Sequence, residues 1–194
     1  RKQIMKVLAD HYEGTEWDNS QHYKYGNPHS GGVGTICAPH NQYGFIAELR
    51  NDMPLDIGAV MWLAPRRPCI QPYVPWYLGM DKIPEDFAFV DAQTALENHF
   101  NAPENILEQN KSHAFVEYAR YAEQVDKNYR KYIGKIIAYK EKLQEQILKE
   151  QNKVEEEALQ LYDNHKTASM KKLFDFTQKY LDKTREGIDR KSTR

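Results

Sequence analysis

Apolar positions in this chain follow two rhythms, and the change between them falls near residue 104. From residue 118 they recur at Tyr118, Ala122, Val125, Tyr129, Tyr132, Ile136, Tyr139, Leu143 and Ile147, in steps of four and three. That spacing is the heptad-like stripe of an amphipathic helix, and Val154, Ala158 and Leu161 continue it. Unbroken over residues 111–163, the helix spans about 80 Å at 1.5 Å per residue. A break near Gly134 or at 149–153 halves it. Residues 163–167 carry a turn signal, with Thr167 capping a last helix over 168–185 that ends at Gly187. The simplest arrangement is an antiparallel helical pair whose tyrosine-rich seam packs on itself and on a sheet.

Before residue 104 the period is that of strands. Residues 34–39 are β-branched and apolar, 40–42 are polar, and 43–50 alternate, which reads as a hairpin. Residues 57–64, IGAVMWLA, form a continuous apolar run expected of a central strand covered on both faces. Residues 65–87 are crowded with proline beside Tyr73, Trp76 and Tyr77, and predict an ordered loop over a core edge or pocket wall. The opening residues predict a helix with Ile4, Met5 and Leu8 on one face, ended by glycine near 12–14. A long polar loop over 13–34 follows, with Trp17 and Tyr25 as anchors. Residues 91–100 predict a short helix with Asp91 as N-cap. The expected fold class is α+β, with antiparallel strands at about 33–64 and a long C-terminal helical hairpin or bundle. The expected units are 1–104 and 105–194.

Charge narrows the partners. A formal net charge of −1 leaves no basic surface of the kind nucleic acid requires. Residues 105–194 carry 19 Lys and Arg against 15 Asp and Glu, but the signs alternate, so this is a solvated helical surface. No apolar run approaches the roughly 20 residues of a membrane span. Two cysteines, Cys37 and Cys69, make no disulfide scaffold and lack metal-site spacing, and two buried free thiols are the favoured reading. The chain opens at Arg1 inside a helical pattern, which reads as part of a longer protein.

Candidate chemistry is sparse. Gly31, Gly32, Val33 and Gly34 lack the Lys-Ser/Thr of a phosphate loop. His22 and His29, with Glu16 and Asp18 nearby, could hold a metal, although a solvated loop is favoured. Cys37 and His40 point to opposite faces if they share a strand, which favours a buried strand cysteine over a nucleophile. Arg66 and Arg67 suit a carboxylate or phosphate, with surface solubility favoured. No metal or other cofactor is expected.

Several short motifs in a fixed order carry a resemblance. They are His11-Tyr12-Glu13-Gly14-Thr15 followed by Asp18, the Gly26-Asn27-Pro28 turn, Thr35-Ile36 and Tyr43. Ala47-x-Leu49-Arg50, Pro54-x-x-Ile57-Gly58-x-Val60-x-Trp62 and Tyr73-x-Pro75-x-Tyr77-x-Gly79 continue the series. Over about residues 5–90 the chain resembles the later part of the dipeptidase family that includes the secernins, cysteine enzymes of the N-terminal-nucleophile hydrolase class.

The resemblance implies an αββα fold of helices over stacked antiparallel sheets. It also implies amide hydrolysis of dipeptides or small peptides by a cysteine freed at a mature N-terminus, through an acyl-enzyme. That cysteine is expected upstream of Arg1, in a catalytic segment of the same protein, so the 194 residues alone are expected to be inactive. His40, Asn41 and Gln42 are the candidate substrate contacts. The helices supply an outer layer or a surface for a homo-oligomer. Relatives occur inside cells and as exported proteins, with export slightly favoured. Two departures stand out: Gly34 replaces a basic residue before the Thr-Ile pair, and Arg66-Arg67 replace an aromatic or acidic pair. A non-catalytic member or a helical assembly module is the alternative reading.

Overall fold

The structure is a computed structural model that describes residues 1–18, 26–30, 34–88, 92–101, 103–105 and 113–192. The fold is α+β: a three-stranded antiparallel sheet followed by a long helical region. Helix α1 spans Lys2–Leu8, strand β1 Tyr43–Leu49, the single-turn α2 Leu55–Gly58 and strand β2 Ala59–Pro65. Strand β3 (Val74–Tyr77) and helices α3 (Ala92–Phe100), α4 (Ala114–Lys127), α5 (Tyr129–Tyr162) and α6 (Lys166–Ser192) complete it.

The strands run in the order β1-β2-β3, with Ile46 opposite Trp62 and Trp62 opposite Pro75. Ile46, Val60, Trp62 and Val74 are buried in one core with Leu143 and Ile147 of α5 and Leu173, Tyr180 and Leu181 of α6. The heptad stripe is therefore the face of α5 laid on this core. A second cluster gathers Tyr118, Ala122 and Val125 of α4 with Ile136, Cys37 and Cys69. An ionic network ties β1 to α5. The Glu155 carboxylate accepts from Arg50 Nη1 and Nη2 at 2.7 and 2.9 Å, from Tyr77 Oη at 2.9 Å and from Gln151 Nε2 at 2.7 Å.

The structure departs from the expected elements in ways the backbone explains. Residues 34–39 form no strand. Cys37 N–H donates to Asp10 O, Thr35 Oγ1 to Cys37 O, and Asn41 N–H to Ala38 O, so local turns satisfy this backbone. The hairpin partner of β1 is β2, and the third strand lies inside the proline-rich stretch. Proline is tolerated at Pro75 because β3 is an edge strand, and its carbonyl accepts from Thr177 Oγ1 at 2.7 Å. Strand β2 is central but not covered throughout: Val60, Trp62 and Ala64 are buried, whereas Met61 is 40% exposed. On β1, Gly44 and Ile46 face inward, while Phe45 and Leu49 are 52% and 79% exposed. Among the described residues no strand pairs with the outer edge of β1.

Helix α1 ends at Leu8, earlier than expected, and Met5 is its buried residue. Trp17 is 55% exposed and anchors nothing; Tyr25, Asp91 and residues 31–33 lie outside the described residues. The long helix breaks at Asn128, not at Gly134 or 149–153. Asn128 has φ −138° and ψ 38°, and a short polar side chain competes with helical hydrogen bonding. The remaining α5 has 34 residues, about 50 Å. Gly187 does not end α6, which runs through to Ser192. It is needed for close approach instead: a Cβ there would lie 2.5 Å from Cε1 of Tyr139 on α5.

Candidate functional site

The residues that carry chemistry converge where the segment after α1, the loop before β1 and the β2–β3 connection meet α4 and α5. His11 is 1% exposed and His29 8%, while Cys37 and Cys69 are 0% and 5% exposed. One ligand atom from each of the four lies within 4.8 Å of all the others. The two imidazole Nε2 atoms are 3.1 Å apart, and Cys69 Sγ is 3.6 Å from His29 Nε2.

Each imidazole is oriented from behind by a carboxylate. His11 Nδ1 donates to Glu13 Oε1 at 3.0 Å, and His29 Nδ1 to Asp126 Oδ1 at 3.0 Å. Arg67 Nη1 lies 3.1 Å from His29 Nδ1 and donates to the other oxygen of Asp126. His29 Nδ1 thus faces an acceptor, Asp126, and a donor, Arg67, and its tautomer sets which of the two it bonds. Arg67 is 3% exposed, so it is a buried carboxylate clamp and not a surface residue. Two long side chains of α5 pin the β2–β3 connection. Lys140 Nζ donates to Pro68 O at 2.8 Å and Cys69 O at 3.2 Å, and the Gln144 amide pairs with both backbone groups of Tyr73.

The cluster's electrostatics follow from burial and mutual hydrogen bonding. Burial opposes charge on His11, but hydrogen bonds to Cys37 and Glu13 prevail and raise its pKa to about 9. The hydrogen bond from His11 holds Glu13 down at about 2. Cys37 is lowered, first by its hydrogen bond from Cys69 and then by His11 and His29. Burial and the neighbouring Cys37 raise Cys69. A thiolate beside an imidazolium is the usual pair of a cysteine nucleophile. Here Cys37 has no exposed surface, so a substrate carbonyl cannot reach it, and Cys69 is buried too, with its thiol pushed up by that burial.

A cavity of about 680 Å³ opens beside the cluster. Lys6, Asp10, Glu13, Tyr73, Lys140 and Gln144 are among its walls, with His11 and Cys69 at its inner end. The size falls within the range of small-molecule sites.

Sequence spacing brought together none of this set. His29 is buried among His11 and the two cysteines, not solvated beside Glu16 and Asp18; His22 lies outside the described residues. Cys37 is buried as expected, whereas His40 is exposed. His40, Asn41 and Gln42 sit on the turn leading into β1 and are not among the cavity's lining residues. The usable signal was that His11 and Cys37 stand in or beside the motifs of the resemblance, although 26 residues separate them.

No curated protein matches the chain. A family model described as Peptidase family C69 matches residues 2–142, which takes in the sheet, most of the cavity-lining residues, all four cluster residues and the first part of α5. With that match covering well over half of its residues, the chain belongs to peptidase family C69.

Proposed function

We propose that this chain is the C-terminal, non-nucleophile portion of a cysteine-type dipeptidase that cleaves small peptides through an acyl-enzyme. The observation that carries the reading is the Peptidase C69 match across the sheet and cavity. Three structural features support it. Both cysteines are buried in the His–Cys cluster, which leaves the nucleophile to a cysteine upstream of Arg1. The cavity walls carry Lys6 and Lys140 as well as Asp10 and Glu13, charges of both signs that suit the two ends of a zwitterionic dipeptide. The outer edge of β1, which pairs with no strand among the described residues, and its exposed Phe45 and Leu49 suit a sheet completed by the catalytic segment. Among the described residues no helix is long and apolar enough to cross a membrane.

In this mechanism the upstream cysteine's own α-amine takes the thiol proton, the thiolate attacks the scissile carbonyl, and water then releases the acyl group. The present residues bind and orient the peptide. Gly34, where the resembled family carries a basic residue, favours a second reading: a non-catalytic member in which the α5–α6 hairpin serves assembly. Amine release from unmodified dipeptides decides between them. The protein with its upstream segment is active and loses activity when the N-terminal cysteine is changed to alanine, whereas the 194-residue chain alone is inactive. Hydrolysis by the 194 residues alone would overturn the assignment of the nucleophile. Inactivity of the longer protein would favour the non-catalytic reading.

A further inference from the structure

We propose that His11, His29, Cys37 and Cys69 form a structural zinc site that fastens the irregular segments of this fold to the helical layer. The proposal is independent of the dipeptidase reading, because it needs neither the upstream cysteine nor a substrate.

Donor geometry is the first argument. Tetrahedral Zn²⁺ takes imidazole nitrogen at about 2.0–2.1 Å and thiolate sulfur at about 2.3 Å, which sets N···N near 3.3 Å and N···S near 3.5 Å. The observed Nε2···Nε2 distance is 3.1 Å, and the Sγ···Nε2 distance of Cys69 and His29 is 3.6 Å. These two spacings match a closed coordination shell, and all four donor atoms lie within 4.8 Å of one another. Two imidazoles and two thiolates are also the donor set that selects zinc among the common divalent ions.

The protons supply the second argument. Each Nδ1 lies 3.0 Å from a carboxylate oxygen, so the two Nε2 atoms turn toward each other inside the cluster. Two lone pairs 3.1 Å apart in a buried site repel unless a proton or a cation lies between them. A proton satisfies the imidazole pair alone, whereas a divalent cation satisfies both imidazoles and both sulfurs at once. Carboxylates behind metal-binding histidines are the usual outer shell of such sites, and here each histidine has one.

Closure of the site argues for its role. Four protein donors leave no position for water, which is the mark of a structural site and not a hydrolytic one. Binding takes both cysteines as thiolates and both histidines as neutral imidazoles, so the two protons the four donors hold between them pass to solvent and a neutral Zn(His)₂(Cys)₂ core is left. The ligands come from the stretch between α1 and β1 and from the β2–β3 connection, neither of which has regular structure at the ligands. Through Asp126 the same centre reaches α4. His11 and Cys69 at the inner end of the cavity give the ion a path in from solvent.

The test uses the purified, reduced chain, stripped of metal and then exposed to Zn²⁺ or Co²⁺. One zinc per folded chain is expected after gel filtration, and the Co²⁺ form is expected to show thiolate charge transfer with intense tetrahedral visible bands. Cys69→Ser should remove most of the charge transfer. Because loss of a ligand can itself unfold the chain, Glu13→Gln is the companion: all four ligands remain, so the tetrahedral spectrum persists while affinity falls about 10–100-fold. Three results would overturn the proposal: no stoichiometric metal on folded wild-type chain, a weak octahedral cobalt spectrum, or a Cys37–Cys69 disulfide in freshly isolated protein without metal.

Discussion

Glu155 offers the sharpest test of how the sheet is held to the helices. Its carboxylate, 5% exposed, receives four hydrogen bonds from Arg50, Tyr77 and Gln151, joining the end of β1, β3 and α5. Glu155→Ala leaves a guanidinium without its anion and strands the Tyr77 hydroxyl and the Gln151 amide away from water. Removing one partner of a buried ion pair costs about 3–5 kcal/mol, and each stranded neutral group about 1–3 kcal/mol. The Arg50 side chain retains 21% exposure, so water partly replaces the lost carboxylate, and the separate costs do not simply add. We expect about 4 kcal/mol in urea unfolding followed by far-ultraviolet circular dichroism, or roughly 8–16 °C in Tm for a chain of this size. Glu155→Gln should lose about half as much. The double change Arg50→Met with Glu155→Leu should cost far less than the two single changes together, because it leaves no unpaired charge behind. A loss below about 1 kcal/mol for Glu155→Ala, or strict additivity of the pair, would refute this account.

Gly187→Ala should destabilise by about 1–2 kcal/mol, since the new Cβ meets the Tyr139 ring and outweighs the better helix propensity of alanine. Pairing it with Tyr139→Leu should recover part of the loss in the same denaturation assay. Leu173→Ala, at a fully buried position between α6 and the sheet, should cost about 2–5 kcal/mol. Lys166 and then the Tyr162 hydroxyl hold the Asp56 carboxyl below its usual 3.8. A depressed folded pKa means this contribution is complete above that value and lost as pH falls through the folded pKa. Asp56→Asn should therefore flatten the acid limb of a stability–pH profile, and also the far alkaline limb, because Asp56 holds its partner Lys166 above the usual lysine range. Phe45→Asp with Leu49→Asp should leave the Tm of the 194-residue chain within a few degrees but weaken its union with the upstream segment in a co-purification assay. Equal weakening of both would assign these side chains to this chain's own core.

Local pattern determined a good deal here. The 3.6-residue rhythm of α5 and α6 is written in consecutive residues, so the stripe from Ile136 to Ala158 and a turn after residue 162 were legible without coordinates, although the last helix starts at Lys166, which puts the expected cap Thr167 inside it. The alternation of β1 and the apolar run of β2 were equally plain, as were the ordered motifs that carried the family resemblance. What was not legible depended on partners distant in sequence. Pairing of β1 with β2 in place of residues 34–39 was decided by turns around Cys37 and its bond to Asp10, which no periodicity reports. Helix α6 runs past Gly187 because Tyr139, 48 residues earlier, needs that space. The cluster is the extreme case. His11, His29, Cys37 and Cys69 are scattered over 58 positions with no metal-ligand spacing, and each alone reads as loop or core. Only the crossing of two connections, α1–β1 and β2–β3, aims their donor atoms at one point, because side-chain chemistry acts over a few ångströms whatever the separation along the chain.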